Sequence, residues 1–247
     1  MNAIKHAGPE NLDVVILCGG VGKRLKSVVK DRPKPMAEVA GRPFLDILID
    51  HTAAFGFKRF ILCAGHMGDF IKGYYQKKKG LLVQVIVSQE EEPLGTAGAI
   101  KNAQRLIKSS PFLVMNGDSL CKLDLAKFVN FHEEKKASFS MVLARSKGGS
   151  DYGRVNIGDS GRVVSFSEKS EAGQNDLINA GIYLLDSGIF SIIPSGKKSS
   201  LERDIFPGIA GNEFYGYVTE EEMVDIGTPD RYSAAQQTVG RPFHEKR

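Results

Sequence analysis

The sequence predicts an α/β fold built on a mixed central sheet, and three observations lead there. Short apolar runs alternate with amphipathic stretches through the first half. A glycine-rich loop follows the first apolar run directly. Beyond residue 134 the pattern changes to closely spaced β-rich runs.

Val14 to Cys18 is a continuous apolar run of strand length. Phe44 to Phe55 has apolar residues at helical spacing and stops at Gly56. Phe60 to Ala64 then reads as a strand, Phe70 to Lys78 as a helix, Val83 to Val87 as a strand and Thr96 to Ile107 as a helix. Phe112 to Met115 is a fourth strand running straight into Asn116-Gly117-Asp118. Buried runs alternating with helices require a mostly parallel sheet with helices on both faces. After a helix over Asp124 to Glu134, four β-rich runs follow: Ser138 to Ala144, Arg154 to Ile157, Arg162 to Ser167 and Ile178 to Leu185. Tight turns are expected at Gly148-Gly149 and at Asp159-Ser160-Gly161. Ser199-Ser200-Leu201-Glu202 has capping-box spacing ahead of a short helix. Phe214 to Val218 and Met223 to Ile226 are late strands, and Pro229 to Val239 is a closing helix with proline in its first turn.

The 247 residues can bury a sizeable core and suit one domain over 1–247, with the core at about 12–239. No repeat, low-complexity linker or composition break divides them. A net charge of +4 is too mild to call for nucleic acid. The longest apolar runs are far too short to span a bilayer, and Met1 to Asn11 lacks the apolar centre of a secretory signal. Cys18, Cys63 and Cys121 have no metal-ligand spacing and read as buried, reduced thiols of a cytoplasmic protein.

The loop Leu17-Cys18-Gly19-Gly20-Val21-Gly22-Lys23-Arg24-Leu25 sits beyond the carboxyl end of the first strand, where open α/β sheets bind ligands. Its glycines let backbone N–H groups approach phosphate oxygens. The spacing is neither that of a dinucleotide fingerprint nor that of a Walker loop, and a nicotinamide-dependent oxidoreductase fails on this ground. Basic residues follow: Arg24, Lys26, Lys30, Arg32, then Pro33-Lys34-Pro35-Met36. Two prolines rigidify the backbone around Lys34, a setting suited to meeting a phosphate whose charge grows in a transition state. Arg24 and Lys34 are read as functional; Lys26, Lys30 and Arg32 are read as a solvated face. The histidines have no triad or metal spacing, and His66 is read as solvent-side.

These motifs, with Glu92-Pro93-Leu94-Gly95-Thr96-Ala97-Gly98, Asn116-Gly117-Asp118, Glu168-Lys169, Asn179-Ala180-Gly181 and Asp225-Ile226-Gly227-Thr228-Pro229, resemble the sugar-1-phosphate nucleotidyltransferases. The resemblance runs from about Val14 to Tyr232 in the family's order. It implies a Rossmann-like three-layer domain with a mixed central sheet and a β-rich sugar-binding half. Within the family, Arg24-Leu25-Lys26-Ser27-Val28-Val29-Lys30-Asp31 and Tyr152-Gly153-Arg154-Val155-Asn156 are most similar to the D-glycero-D-manno-heptose 1-phosphate guanylyltransferases. Lys23 departs from the family's usual threonine or serine and adds a cation beside the loop. Many relatives carry a C-terminal left-handed β-helix; no hexapeptide repeat occurs here.

The resemblance implies an activity: transfer of a nucleoside monophosphate from GTP or another NTP to a sugar 1-phosphate, with release of pyrophosphate. Arg24, Lys34 and Asp118 would be catalytic. Leu17, Gly19, Gly20, Gly22, Lys23, Arg24, Glu90, Gly95 and Thr96 would bind the nucleotide. Gly153, Glu168, Lys169 and Asn179 would bind the sugar phosphate, with Lys169 on the phosphate. Asp118 and Asp225, each at a strand end, would hold one Mg²⁺, a hard cation that takes oxygen ligands; the competing reading makes Asp118 a helix cap and Asp225 a turn residue. Glu90 can accept both N1–H and the N2 amino group of guanine, whereas a pyrimidine would offer it an acceptor carbonyl. Rival substrates are mannose 1-phosphate with GTP, or a hexose 1-phosphate with UTP, dTTP or CTP. A rival of another class is a non-catalytic nucleotide-sugar sensor. Homo-oligomerisation is compatible with the sequence.

Overall fold

The computed structural model describes residues 8–149, 152–168 and 172–239. Its strands are β1 (Asp13–Leu17), β2 (Glu38–Val39), β3 (Arg42–Pro43), β4 (Arg59–Ala64), β5 (Gln84–Gln89), β6 (Phe112–Asn116), β7 (Ser119–Cys121), β8 (Phe139–Gly149), β9 (Arg154–Ile157), β10 (Val163–Ser167), β11 (Ala172–Leu185), β12 (Phe214–Thr219) and β13 (Met223–Asp225). The helices are α1 (Phe44–Ala53), α2 (Gly68–Lys77), α3 (Gly95–Asn102), α4 (Leu125–Glu134), α5 (Ile189–Ile192), α6 (Phe206–Ile209) and α7 (Pro229–Thr238).

β5, β4, β1 and β6 run parallel in that order, so β1 lies between β4 and β6 and the chain switches direction across the sheet there. β11 joins β6 antiparallel, β8 joins β11 antiparallel, and β12 runs parallel to β8. β9 and β10 extend the sheet from the first half of β11. The central sheet is therefore mixed, as the sequence predicts. A two-stranded ribbon of β7 and β13 stands apart from it and positions two key carboxylates.

Both faces of the sheet are covered, which is why its central strands are apolar throughout rather than alternating. Val14 and Ile16 face one layer, with Phe44 and Leu45 of α1, Ile71 of α2, Phe128 of α4 and Ala235 of α7. Val15 faces the other, with Ala97 and Ile100 of α3, Ile189 of α5 and Phe206 of α6. These are three layers with the sheet in the middle.

Three expectations change. Gly148-Gly149 is not a turn: β8 continues through Gly149, which pairs with Ala172 of a longer β11. Cross-strand pairing supplies backbone partners that a local glycine signal cannot anticipate. The helix expected over Thr96 to Ile107 is α3, which ends at Asn102. The capping box is shifted by one residue: Ser200 accepts the Arg203 N–H, and its own N–H donates to Asp204 at 2.7 Å, opening a π-helical turn over Leu201–Ile205. That shift frees Glu202 for another role.

Phe206 is fully buried, its ring 5.0–5.5 Å from those of Tyr183, Phe214 and Phe166. It holds the 200–209 segment to the β-rich half. Phe206→Ala is expected to lower the unfolding free energy by about 3–5 kcal/mol in urea titrations.

Candidate active site

A cavity of about 440 Å³ opens beyond the carboxyl ends of β1, β5 and β6, at the switch point of the sheet. One wall is the glycine loop. The Cys18 N–H donates to the Cys63 carbonyl at 2.8 Å, extending the β1–β4 ladder before the chain turns away at Gly19. A Cβ on Gly19 would stand 2.7 Å from Glu90 Oε1, so only glycine lets this carboxylate close in.

Glu90 is 9% exposed and its Oε2 accepts the Leu94 N–H at 2.9 Å. Burial raises its pKa above the usual carboxylate value, and the bond from Leu94 opposes the rise. Glu91 and Glu92 are exposed, so the acidic run divides into one residue facing the cavity and two facing solvent. Gly95 adopts φ +73°, and Thr96 donates its hydroxyl to Glu202 at 2.7 Å.

Lys34 stands on a 3-10 turn over Lys34–Met36 whose Pro35 and Met36 are buried, which fixes its backbone. Its ammonium meets Asp118 Oδ2 at 2.5 Å, with side chains 12% and 39% exposed. Asp118 follows Gly117, whose N–H donates to the Leu17 carbonyl at 3.0 Å, docking this turn on the glycine loop. Asp118 does not cap α4; Asp124 does, accepting from the Ala126 and Lys127 N–H groups.

Asp225 pairs in register with Ser119 across the β7–β13 ribbon, and the Ile226 N–H donates to the Asp118 carbonyl at 3.0 Å. The two aspartates therefore come from neighbouring strand ends. Asp225 is also a turn residue, accepting the Gly227 N–H at 2.8 Å, and it takes bonds from the Tyr152 hydroxyl and the Arg231 guanidinium. A Cβ on Gly227 would lie 2.8 Å from Asp225 Oδ1 and 3.5 Å from Lys34 Nζ, so the lysine stands close to both carboxylates. Asp118 lines the cavity; Asp225 does not. Among the described residues no group of three His, Cys, Asp or Glu side chains forms a metal cluster.

The opposite wall carries Gly153, Glu168 and Asn179. Asn179 sits at a bulge of β11, where its Oδ1 accepts the Gly181 N–H and its amide donates to the Tyr183 hydroxyl at 2.7 Å. The Asn179 N–H donates to the Gly153 carbonyl at 2.9 Å, tying the two together. Lys169 lies outside the described residues.

Leu17, Gly19, Gly20, Lys34, Glu90, Gly95, Thr96, Asp118, Gly153, Glu168 and Asn179 thus meet around one cavity. Lys23 and Arg24 do not line it; both are exposed on the turn over 23–28. Gly22 lines a neighbouring cavity, together with Lys26, Lys30, Arg32 and His66. Tyr152, Lys198 and Glu202 also line the main cavity, and none of them was assigned a site role from the sequence. Glu202 accepts from Thr96 and Ser200, which joins the two walls. The sequence signal for Tyr152 is its place at the head of the Tyr152-Gly153-Arg154-Val155-Asn156 stretch.

A family model described as Nucleotidyl transferase matches residues 13–241. The D-glycero-alpha-D-manno-heptose 1-phosphate guanylyltransferase of Aneurinibacillus thermoaerophilus is 36% identical over 230 residues, covering 92% of this chain and 98% of that protein. The mannose-1-phosphate guanylyltransferase of Mycobacterium tuberculosis is 35% identical over 224 residues; the match takes in 90% of this chain but 62% of that longer protein. Among solved structures, HddC from Yersinia pseudotuberculosis complexed with GMP-PN is similar with a TM-score of 0.82 and 37% identity, covering 92% of this chain and 99% of HddC. Among the described residues no helix is long and apolar enough to cross a membrane.

Because burial raises the Glu90 pKa, its charged form penalises the native state at neutral pH. Glu90→Gln, which keeps an acceptor for Leu94, is expected to raise the melting temperature at pH 7–8. The advantage should shrink as pH falls through the raised pKa and the wild-type carboxyl takes up its proton. Melting curves across pH check this.

Proposed function

The chain belongs to the nucleotidyl transferase family, and on that premise we propose that it transfers GMP from GTP to D-glycero-D-manno-heptose 1-phosphate, releasing pyrophosphate. The observation that carries this reading is the cavity itself: Glu90 on one wall, Glu168 and Asn179 on the other, and the Lys34–Asp118 pair between them. The similarity to heptose 1-phosphate guanylyltransferases over nearly their whole length supports the choice of sugar. The similarity to a mannose-1-phosphate guanylyltransferase keeps mannose 1-phosphate as the alternative acceptor.

An oxygen of the sugar phosphate attacks the α-phosphorus, the bond to the α,β-bridging oxygen breaks, and its electron pair leaves with pyrophosphate. The attacking group is already anionic at neutral pH, so the protein need supply no base. Its task is to position two polyanions and to stabilise charge. Glu90 would accept N1–H and N2–H of guanine. The backbone at Gly19 and Gly20 would lie along the nucleotide, with Gly95 and Thr96 at the start of α3, which the Thr96–Glu202 bond ties to the turn over 201–205. Glu168 and Asn179 would take sugar hydroxyls, with Lys169 on the 1-phosphate. Lys34 would exchange Asp118 for a phosphate oxygen, and Arg24, exposed on the turn that follows the glycine loop, would join it.

Asp118 and Asp225 suit Mg²⁺ as a donor set, since this ion takes one or two carboxylates together with phosphate oxygens. When bound, Mg²⁺ neutralises triphosphate charge and aligns its oxygens. Tyr152 and Arg231 hold the Asp225 carboxylate in place beside that position. Three buried free cysteines support a reducing, cytoplasmic setting.

Asp118→Asn and Asp225→Asn are each expected to lower turnover by about 10²–10³-fold with the fold retained. Pyrophosphate release and circular dichroism measure the two sides of that statement; near-normal turnover in either variant removes the metal role. In a panel of GTP, UTP, dTTP and CTP, GTP should lead. Glu90→Gln should cut kcat/KM for GTP by about 10- to 100-fold, the cost of charge-assisted bonds to the base edge.

A further inference from the structure

β5 is the last strand of its sheet: β4 pairs with one edge, and among the described residues no strand pairs with the other. The Gln84 N–H donates to the Lys58 carbonyl at 2.8 Å and the Glu90 N–H to the Ala64 carbonyl at 2.9 Å, so the even-numbered residues bond toward β4. Backbone groups alternate along a strand, which turns those of Val85, Val87 and Gln89 outward. Asn102 of α3 donates its amide to the Gln89 carbonyl at 3.3 Å; among the described residues Val85 and Val87 receive no such cover. Open edges are usually blunted by a charge, a proline or a bulge, yet Gln84-Val85-Ile86-Val87-Ser88-Gln89 has none of these.

That stretch reads nearly the same in both directions, which suits a two-fold axis. Set antiparallel to a second copy with Ile86 on the axis, Val85 faces Val87 as a hydrogen-bonded pair and Gln84 faces Ser88. Val83, Val85 and Val87 pack on the core beneath α1 and α2, whereas Ile86 belongs to neither core and is half-buried. The flanks match too. Leu82, 99% exposed, stands before the strand; Phe70, 40% exposed, stands at its far end, where its neighbour Asp69 accepts from the Gln89 side chain at 3.1 Å. The near end also carries the exposed Lys58, Lys77 and Lys79, and the far end the exposed Asp69, Glu91 and Glu92. Arg105 and Lys197 line a cavity with the two glutamates, but neither glutamate forms an ion pair among the described residues. Antiparallel pairing brings each basic, Leu82-bearing end to the acidic, Phe70-bearing end of the other copy. We propose that a second copy of this chain pairs antiparallel with β5, joining two sheets into one across a two-fold axis. The proposal is independent of the nucleotidyl transfer reading.

Sedimentation velocity of the full chain at micromolar concentrations tests this, and the wild type should run as a dimer. Ile86→Lys sets two ammonium groups side by side on the axis and leaves the β4 ladder intact; it should raise the dimer Kd about 100-fold or more, with circular dichroism unchanged. Hydrogen exchange should find the Val85 and Val87 amides protected in the wild type and fast in that variant. Lys77→Glu/Lys79→Glu and Glu91→Lys/Glu92→Lys should each weaken the dimer about tenfold, and mixing the two in equal amounts should restore it, since opposite charges then meet at both ends. A monomeric wild type, a Kd unchanged by Ile86→Lys, or a mixture no tighter than its parts overturns the proposal. Protection of Val85 and Val87 that persists in a monomeric Ile86→Lys variant also overturns it, because the chain itself then covers the edge.

Discussion

A lysine ammonium and an aspartate carboxylate, 2.5 Å apart and partly shielded from water, lie at the centre of the site. With the carboxylate 39% exposed, solvent screening keeps the contribution of such a pair to stability at about 1 kcal/mol or less. Stability alone therefore does not explain it. In the proposed function Lys34 and Asp118 are charges kept ready for a ligand bearing both phosphates and a cation. Much of the nearby structure serves their placement: the buried Pro35 and Met36 under Lys34, the Gly117 turn docked on the Leu17 carbonyl, and the ribbon that sets Asp225 beside Asp118.

The sheet supplies the frame. Its parallel part ends in loops that gather on one side of β1, and the antiparallel part brings β11 against β6 so that the Asn179 bulge faces the same opening. The two walls are joined away from the ion pair as well. Glu202, on the turn held by Phe206, accepts from Thr96 of α3, while the Asn179–Tyr183 bond stiffens the opposite wall. A ligand that spans the cavity thus meets surfaces already fixed relative to one another, which lowers the ordering cost of bringing two polyanions together.

Much of this was legible in the sequence because the signals are local. The apolar run at Val14, the glycine loop behind it and the strand leading to Asn116-Gly117-Asp118 each follow from a few adjacent residues. What escaped depends on partners far apart in the chain. Gly148-Gly149 looks like a turn until Ala172 is set beside it. Glu202 looks like part of a cap until Thr96 appears across the cavity, and Tyr152 gives no sign of its bond to Asp225. Lys26, Lys30 and His66 read as solvated one at a time; only the folded chain places them around one concavity. Arg24 is the opposite case, prominent in its motif yet outside the cavity lining.

In the proposed reaction Lys34 exchanges its carboxylate partner for a phosphate while Asp118 and Asp225 turn to a shared ion. A crystal structure with Mg²⁺ and a non-hydrolysable GTP analogue measures this directly. The account expects Lys34 Nζ on a phosphate oxygen, both carboxylates on one Mg²⁺ and the guanine edge on Glu90. A nucleotide seated elsewhere, with the Lys34–Asp118 pair intact, would contradict it.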